Sequence, residues 1–231
     1  MNRNFRPNLK YAFRNPFFLT RRFLYLTVAG LAPHFSGGRL LDVGCGTKPY
    51  QKLFAVDAYV GMDYAKGAHA GNPNADIVYE GGAFPIPDAS FDHALATEVL
   101  EHVFEPDPFV GEIARVLEPG GLLLLTVPFV WDEHEQPWDY ARYTSFGIRH
   151  LVEKHGFEVL EQHKTGGFLT SLAQLFCLYL YYGTHENRAL FAITRWLVMG
   201  PLQLAALALE RWLPARDGLY LDNVLLLRKG S

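Results

Sequence analysis

Two cysteines in 231 residues are too few for a disulfide framework. Cys45 lies in a glycine turn and Cys177 in an apolar run. Neither has metal-ligand spacing, so the sequence assigns no metal, and the usage suits a reducing compartment. Acidic residues are missing before Asp42, whereas Arg3, Arg6, Lys10, Arg14, Arg21, Arg22 and Arg39 precede it. The remainder carries 14 basic and 24 acidic residues, so the net charge of −3 conceals a basic arm on an acidic body. Such an arm implies an anionic partner. Aromatics alternate with its charges: Phe5, Tyr11, Phe13, Phe17, Phe18, Phe23 and Tyr25. No internal repeat or low-complexity tract occurs. With 49% apolar residues the chain is folded rather than disordered, and its length suits one α/β domain with an addition.

Long apolar runs are also scarce. Thr165 to Thr184 has no charge over 20 residues but carries Thr170, Ser171 and Gln174, and it barely reaches bilayer-spanning length. Trp196 to Leu209 is uncharged over 14 residues and contains Pro201, so it reads as short and broken. Tyrosines and tryptophans sit near the run ends, flanked by Arg188, Arg195, Arg211 and Arg216. That profile describes segments lying in a membrane interface more than spans.

What is present is a short apolar strand ending in a glycine turn, Arg39-Leu40-Leu41-Asp42-Val43-Gly44-Cys45-Gly46-Thr47-Lys48. At a spacing of 21 residues Tyr59-Val60-Gly61-Met62-Asp63 again ends a strand in a carboxylate. Glycines allow close approach of backbone to ligand. A carboxylate at the second strand's tip can accept hydrogen bonds from both hydroxyls of a ribose. The dinucleotide fingerprint needs a third small residue, but here Gly44-x-Gly46-x-x runs into Pro49, which argues against a nicotinamide dehydrogenase. The pattern predicts a nucleoside site at the carboxyl end of a parallel sheet.

Four ordered motifs over residues 39–128 resemble the class I S-adenosylmethionine (SAM)-dependent methyltransferases, in particular the type-11 group. They are the Asp42-Val43-Gly44-x-Gly46 turn, Glu80-Gly81-Gly82 to Phe91-Asp92, Glu98-Val99-Leu100-Glu101-His102-Val103, and Glu112 to Gly121. The resemblance implies a doubly wound, mostly parallel seven-stranded sheet, with SAM as cofactor. It implies Asp42, Gly44, Cys45, Gly46, Asp63, Tyr64, Glu80, Gly81 and Thr97 as cofactor residues, with Glu80 near the adenine. Because SAM is a cytosolic metabolite, a cytoplasmic location follows. Arg21-Arg22 and the apolar stretch 23–32 have the outline of a signal peptide, but the expectation is instead a helix into the first strand, ended by Pro33.

Strands are expected at 39–43, 58–62, 76–80, 91–97, 122–128, 157–163 and 223–228, and helices at 48–54, 106–117 and 145–155. Residues 1–36 form the basic arm and 37–231 the domain, whose last hairpin is interrupted by an apolar helical insert, 165–216. After strand five, Pro128 to Thr144 is dense in polar groups and resembles a run of type-11 methyltransferases. His134 is the candidate base, because histidine is the side chain whose unperturbed pKa lies near neutrality. Asp139 and Arg142 either bind substrate or pair to shape the loop. His102, Trp138, Asp139, Arg142 and Tyr143 are the candidate acceptor residues. The expected acceptor is small, apolar or lipid-linked, at an anionic inner membrane surface; a homodimer is an alternative use of the insert. A nucleic-acid substrate is disfavoured because the Asn/Asp-Pro-Pro-Tyr/Phe motif is missing. The alternatives carried are an RNA methyltransferase and a non-catalytic SAM-binding scaffold.

Overall fold

Five strands rich in Leu, Val, Ile and Ala are laid down by residues that are apolar on both sides, as strands covered on two faces require. In the computed structural model, which describes residues 8–66, 70–214 and 216–230, β1 (Arg39–Val43), β2 (Ala58–Tyr64), β3 (Ile77–Tyr79), β4 (Phe91–Thr97), β5 (Leu117–Pro128), β6 (Phe157–Lys164) and β7 (Asp222–Lys229) form one mixed sheet. Its order is β3-β2-β1-β4-β5-β7-β6. Arg3, Phe5 and Arg6 of the basic arm lie outside the described residues. The pairs β1–β2, β1–β4, β2–β3 and β4–β5 are parallel, with Asp42 beside Gly61 and Val43 beside Met62. The winding reverses between β1 and β4, and ligands of such sheets bind at the carboxyl ends beside that point.

The expected helix 48–54 shrinks to one 3-10 turn, Gln51–Leu53. Lys48 sits at φ +51°, and Pro49 disfavours helical backbone at the residue before it. β5 begins at Leu117 rather than 122. The helix expected before Pro33 is present as α1, Phe18–Leu31, followed by a 3-10 turn through Pro33. Helix α2 (Pro106–Val116) buries Phe109, Val110, Ile113 and Val116, one stripe at helical spacing. Helix α3 (Ser145–Lys154) starts where the Thr144 hydroxyl accepts from the Gly147 N–H at 3.1 Å.

The chain divides into two compact units, Val28–His163 with Asn223–Ser231, and the segment up to Thr27 with Lys164–Asp222. The sequence divided it at 36/37, with a separate insert. In the structure residues 8–27 of the arm fold as one unit with the insert, whereas residues 28–36 belong to the other unit. The first unit holds the nucleotide-type core, including Leu41, Met62, Phe91, Ile113 and Leu125.

The second unit contains α4 (Phe168–Thr184), α5 (Arg188–Thr194), a π-helical turn (Arg195–Met199) and α6 (Gly200–Leu209). The last three run on as one helix, 188–209, long and apolar enough to cross a bilayer by length and composition. Pro201 therefore does not break the run, contrary to the sequence reading. The π turn ahead of it already departs from the α ladder to which proline cannot donate. Two buried glutamines tie these helices to the arm. Gln174 Nε2 donates to the Pro16 carbonyl and Gln203 Nε2 to the Ala12 carbonyl, each at 2.9 Å.

Candidate cofactor and acceptor site

The turn after β1 is built by glycine for two different reasons. Gly44 has φ +69°, and a Cβ there would strike the Val99 side chain. Gly46 has φ +47°, and a Cβ there would meet nothing within 4 Å, so this residue faces open space. The N–H groups of Gly44 and Cys45 both donate to the Met62 carbonyl, at 2.8 and 3.1 Å, which fixes the turn against the end of β2. Asp63 follows Met62. Its Oδ1 accepts from the Tyr64 N–H at 2.9 Å, and its Oδ2 accepts from the Gly46 N–H at 3.3 Å and from Asn72 Nδ2 at 2.6 Å.

Gly44, Gly46, Asp63 and Tyr64 line one pocket, together with Lys66, Tyr79, Glu98, Val99, His102, Val103, Glu135 and Trp138. Four candidate cofactor residues and two candidate acceptor residues, His102 and Trp138, thus meet in one place, whereas the acceptor candidates Asp139, Arg142 and Tyr143 are not lining residues. Asp42, Cys45, Glu80, Gly81 and Thr97 are not among the lining residues. Asp42 is buried and accepts from the Tyr59 hydroxyl at 2.6 Å. Burial pushes its carboxyl up to about 7, although the Tyr59 hydrogen bond and the Lys48 charge pull the other way. Burial also pushes the Cys45 thiol up to about 12, so it is not a thiolate. Glu80 is exposed at the end of β3. A larger cavity, about 630 Å³, belongs to the other unit and shares no lining residue with this pocket; Phe23, Lys164, Leu169, Glu210 and Arg216 are among its walls.

The polar side of the pocket comes from two segments. Glu98 follows β4 at φ +53°, a strained conformation held from three points. Its N–H donates to the Thr126 carbonyl and hydroxyl oxygens at 3.1 and 3.0 Å, and the Thr126 hydroxyl donates to Glu98 Oε1 at 2.6 Å. One turn on, Glu101 is fully buried and His102 projects into the pocket. The loop after β5 supplies Glu135 and Trp138. There Arg142 grips Asp139 with two hydrogen bonds of 2.6 Å, the ion pair the sequence offered as one of two roles. Burial would raise the Asp139 carboxyl, but Arg142 and the His134 N–H outweigh it and hold it at about 2.

His134 is not a lining residue of the pocket; its ring packs edge-on against His102, centroids 4.8 Å apart. Its Nδ1 lies 3.3 Å from Asp139 Oδ2 and 3.2 Å from the Asp132 carbonyl. Tyr143 places its main chain against Pro128 and Asn223, and its buried hydroxyl has no hydrogen-bond partner among the described residues. Glu98, Glu135, Lys66 and Asn72 were not singled out from sequence. Glu98 and Glu135 lie inside motifs that were recognised, whereas nothing local marks Asn72. The sequence assigned no metal, yet Glu101, His102 and His134 bring one potential ligand atom each within 4.8 Å of one another.

A seven-stranded sheet of this order, with a glycine turn after β1 and a carboxylate at the tip of β2, defines a class I SAM-dependent methyltransferase domain with SAM as its cofactor. Residues 41–125 match the family model described as "Methyltransferase domain". A "probable S-adenosylmethionine-dependent methyltransferase" of Mycolicibacterium smegmatis is 34% identical over 145 residues, covering 60% of this chain and 54% of that protein. A ubiquinone biosynthesis O-methyltransferase of Maricaulis maris is 35% identical over 102 residues, 39% of this chain and 40% of that one. The chain thus spans about half of these relatives' length or less. The phosphoethanolamine N-methyltransferase 2 of Haemonchus contortus, solved with S-adenosyl-L-methionine, has the same fold, with TM-score 0.55 and 17% identity over 96% of this chain and 56% of that one.

Proposed function

We propose that this protein transfers the methyl group of SAM to a small apolar or lipid-linked acceptor. One observation carries the reading: Asp63 and the glycine turn share a pocket with His102, Glu135 and Trp138. When bound, SAM supplies a methyl already activated by a sulfonium, so the protein's task is mainly proximity and alignment. Asp63 accepts from the ribose hydroxyls once its Asn72 bond exchanges, Gly46 gives close approach, and Trp138 offers an apolar wall to the acceptor. The His102–His134 pair activates a hydroxyl acceptor for loss of its proton. The ion pair Asp139–Arg142 acts as a positioning device for His134. Incubation with methyl-labelled SAM and separated membrane and soluble extracts tests this; label transferred to no component of either would leave the SAM-binding scaffold.

A finer part of the proposal is that the unit containing the insert rests on an anionic membrane. Helix α4 supports it by being amphipathic in the inverted sense. Its polar residues Thr170, Ser171 and Gln174 are buried, whereas Phe168, Leu172, Phe176, Tyr179 and Tyr182 are exposed along one stripe, Tyr179 to 73%. Leu197 and Trp212 are exposed to 72% and 86%. Apolar patches of this extent mark interfaces. Exposed Lys10, Arg14, Arg188, Arg211 and Arg216 belong to the same unit and suit an anionic surface. A second copy of the chain is the competing occupant, separated from the bilayer by the vesicle experiment below.

A further inference from the structure

Two histidines and a buried carboxylate converge at the pocket wall. We infer that Glu101, His102 and His134 bind a divalent transition-metal ion, and that its remaining positions take the oxygen of a hydroxyl acceptor. The second half of this inference rests on the methyltransferase reading; the first half does not.

Three features beyond the mutual 4.8 Å approach support the site. First, the tautomer of His102 is fixed. Its Nδ1 lies 2.7 Å from the Trp138 main-chain carbonyl, which can only accept, so Nδ1 carries the proton. The lone pair of Nε2 then points among carboxylates, 3.7 Å from Glu101 Oε1 and 3.9 Å from Glu135 Oε2. Donors about 2.1 Å from one tetrahedral ion stand about 3.4 Å apart, close to these spacings.

Second, His134 is oriented from behind in the same way. Its Nδ1 faces the Asp132 carbonyl and the Asp139 carboxylate at 3.2 and 3.3 Å, leaving Nε2 for a ligand. A carbonyl or carboxylate on the far nitrogen is how metal-binding histidines are held. Arg142 also comes within 3.4 Å of that Nδ1, but its guanidinium is engaged by both Asp139 oxygens.

Third, the Glu101 carboxylate lies on the fully buried side of the cluster, where its charge also acts on Arg142. Glu98 and Glu135 add carboxylates to the same pocket. Two imidazoles with carboxylates suit Mn²⁺, Fe²⁺, Co²⁺ or Zn²⁺, and not the all-oxygen preference of Ca²⁺.

An ion here would lower the acceptor's hydroxyl pKa, as metals do for bound water. The hydroxyl proton passes to solvent. The oxygen's electron pair forms the new bond to the methyl carbon, while the sulfur–methyl bond breaks and leaves its pair on sulfur. The products are a methyl ether and the neutral thioether of the cofactor.

The test is titration of chelator-treated, full-length protein with Mn²⁺, read by the electron paramagnetic resonance of free ion and by displacement with Zn²⁺. One ion per chain is expected, with affinity lowered at least 10-fold in His102→Ala and in His134→Ala. Circular dichroism melts of both variants, and S-adenosylhomocysteine binding by His134→Ala, check that the fold persists. Failure of the folded wild type to bind either metal overturns the site, as does unchanged binding in both variants. If S-adenosylhomocysteine binds but no metal does, only the metal inference falls. If metal binds and S-adenosylhomocysteine does not, the site stands and the methyltransferase reading falls.

Discussion

Asn72 donates its amide to Asp63 Oδ2 at 2.6 Å and to the Gly46 carbonyl at 2.7 Å, bridging the carboxylate and glycine elements that line the candidate cofactor pocket. Three hydrogen bonds already reach the Asp63 carboxylate, which has about four acceptor sites. A ribose diol needs two, so the Asn72 bond is the one to exchange. Asp63→Ala should weaken SAM binding by roughly 30- to 150-fold, about 2–3 kcal/mol. Asn72→Ala should instead tighten it by about 2- to 10-fold. Titration calorimetry decides both; weaker binding in the Asn72 variant would show that the amide positions Asp63 rather than competing for it.

Asp42 makes stability pH-dependent. Its folded pKa of about 7 is raised from the ordinary 3.8 by burial. A carboxyl raised in the fold stabilises fully below its unfolded value, and that contribution is lost as pH rises through the folded value. Between about pH 4 and 7 the cofactor-free protein should lose on the order of 2–4 kcal/mol through this group. Asp42→Asn should flatten that decline. Thermal melts across the range in both proteins check it, and equal slopes would refute the role of Asp42.

His134 sits behind His102 and is gripped by Asp139, so its loss should act on turnover and not on cofactor affinity. His134→Ala is expected to lower turnover by roughly 10²–10⁴-fold while SAM binding stays unchanged. Wild-type turnover in the variant would remove His134 from the mechanism.

The inverted face of α4 predicts binding to vesicles. Basic residues near an anionic leaflet contribute about 1 kcal/mol each, so three or four acting together suffice for reversible attachment. Flotation with anionic vesicles at low salt should carry the protein up, and neutral vesicles or high salt should weaken this. Phe176→Ser with Tyr179→Ser should abolish it. Protein left at the bottom with anionic vesicles at low salt would favour a second copy on this face, detectable by sedimentation.

Gln174→Leu should destabilise the unit formed by arm and insert. It strips the buried Pro16 carbonyl of its 2.9 Å donor. An orphaned buried acceptor costs about 1–3 kcal/mol, which corresponds to a fall in melting midpoint of roughly 2–12 °C for a domain of this size. An unchanged melting curve would mean that water or a neighbouring donor replaces the amide.

Local pattern made much of this protein legible. The strands at 39–43 and 91–97 and the helix over 145–154 match their expected spans closely, because apolar periodicity and caps such as Thr144 act over a few residues. The glycine turn after β1 and the carboxylate at the end of β2 were legible as elements for the same reason, since each is a local pattern at a strand end. The helix expected at 48–54 failed where Pro49 overrode composition.

What the chain order could not decide was which distant groups meet. Glu101 and His102 come from the turn after β4, and His134 and Glu135 from the loop after β5. Only the parallel pairing of those two strands brings their carboxyl ends together. Asn72 reaches Asp63 through a loop with no motif of its own. The polarity of α4 shows the same division. The sequence displayed an uncharged run with three polar residues. Which side those residues face was set by the arm, because Gln174 is buried where Pro16 and Thr20 offer it partners, and the apolar stripe is left outside. Composition determines how much apolar surface a helix has, but only packing against the rest of the chain determines which part of it stays exposed.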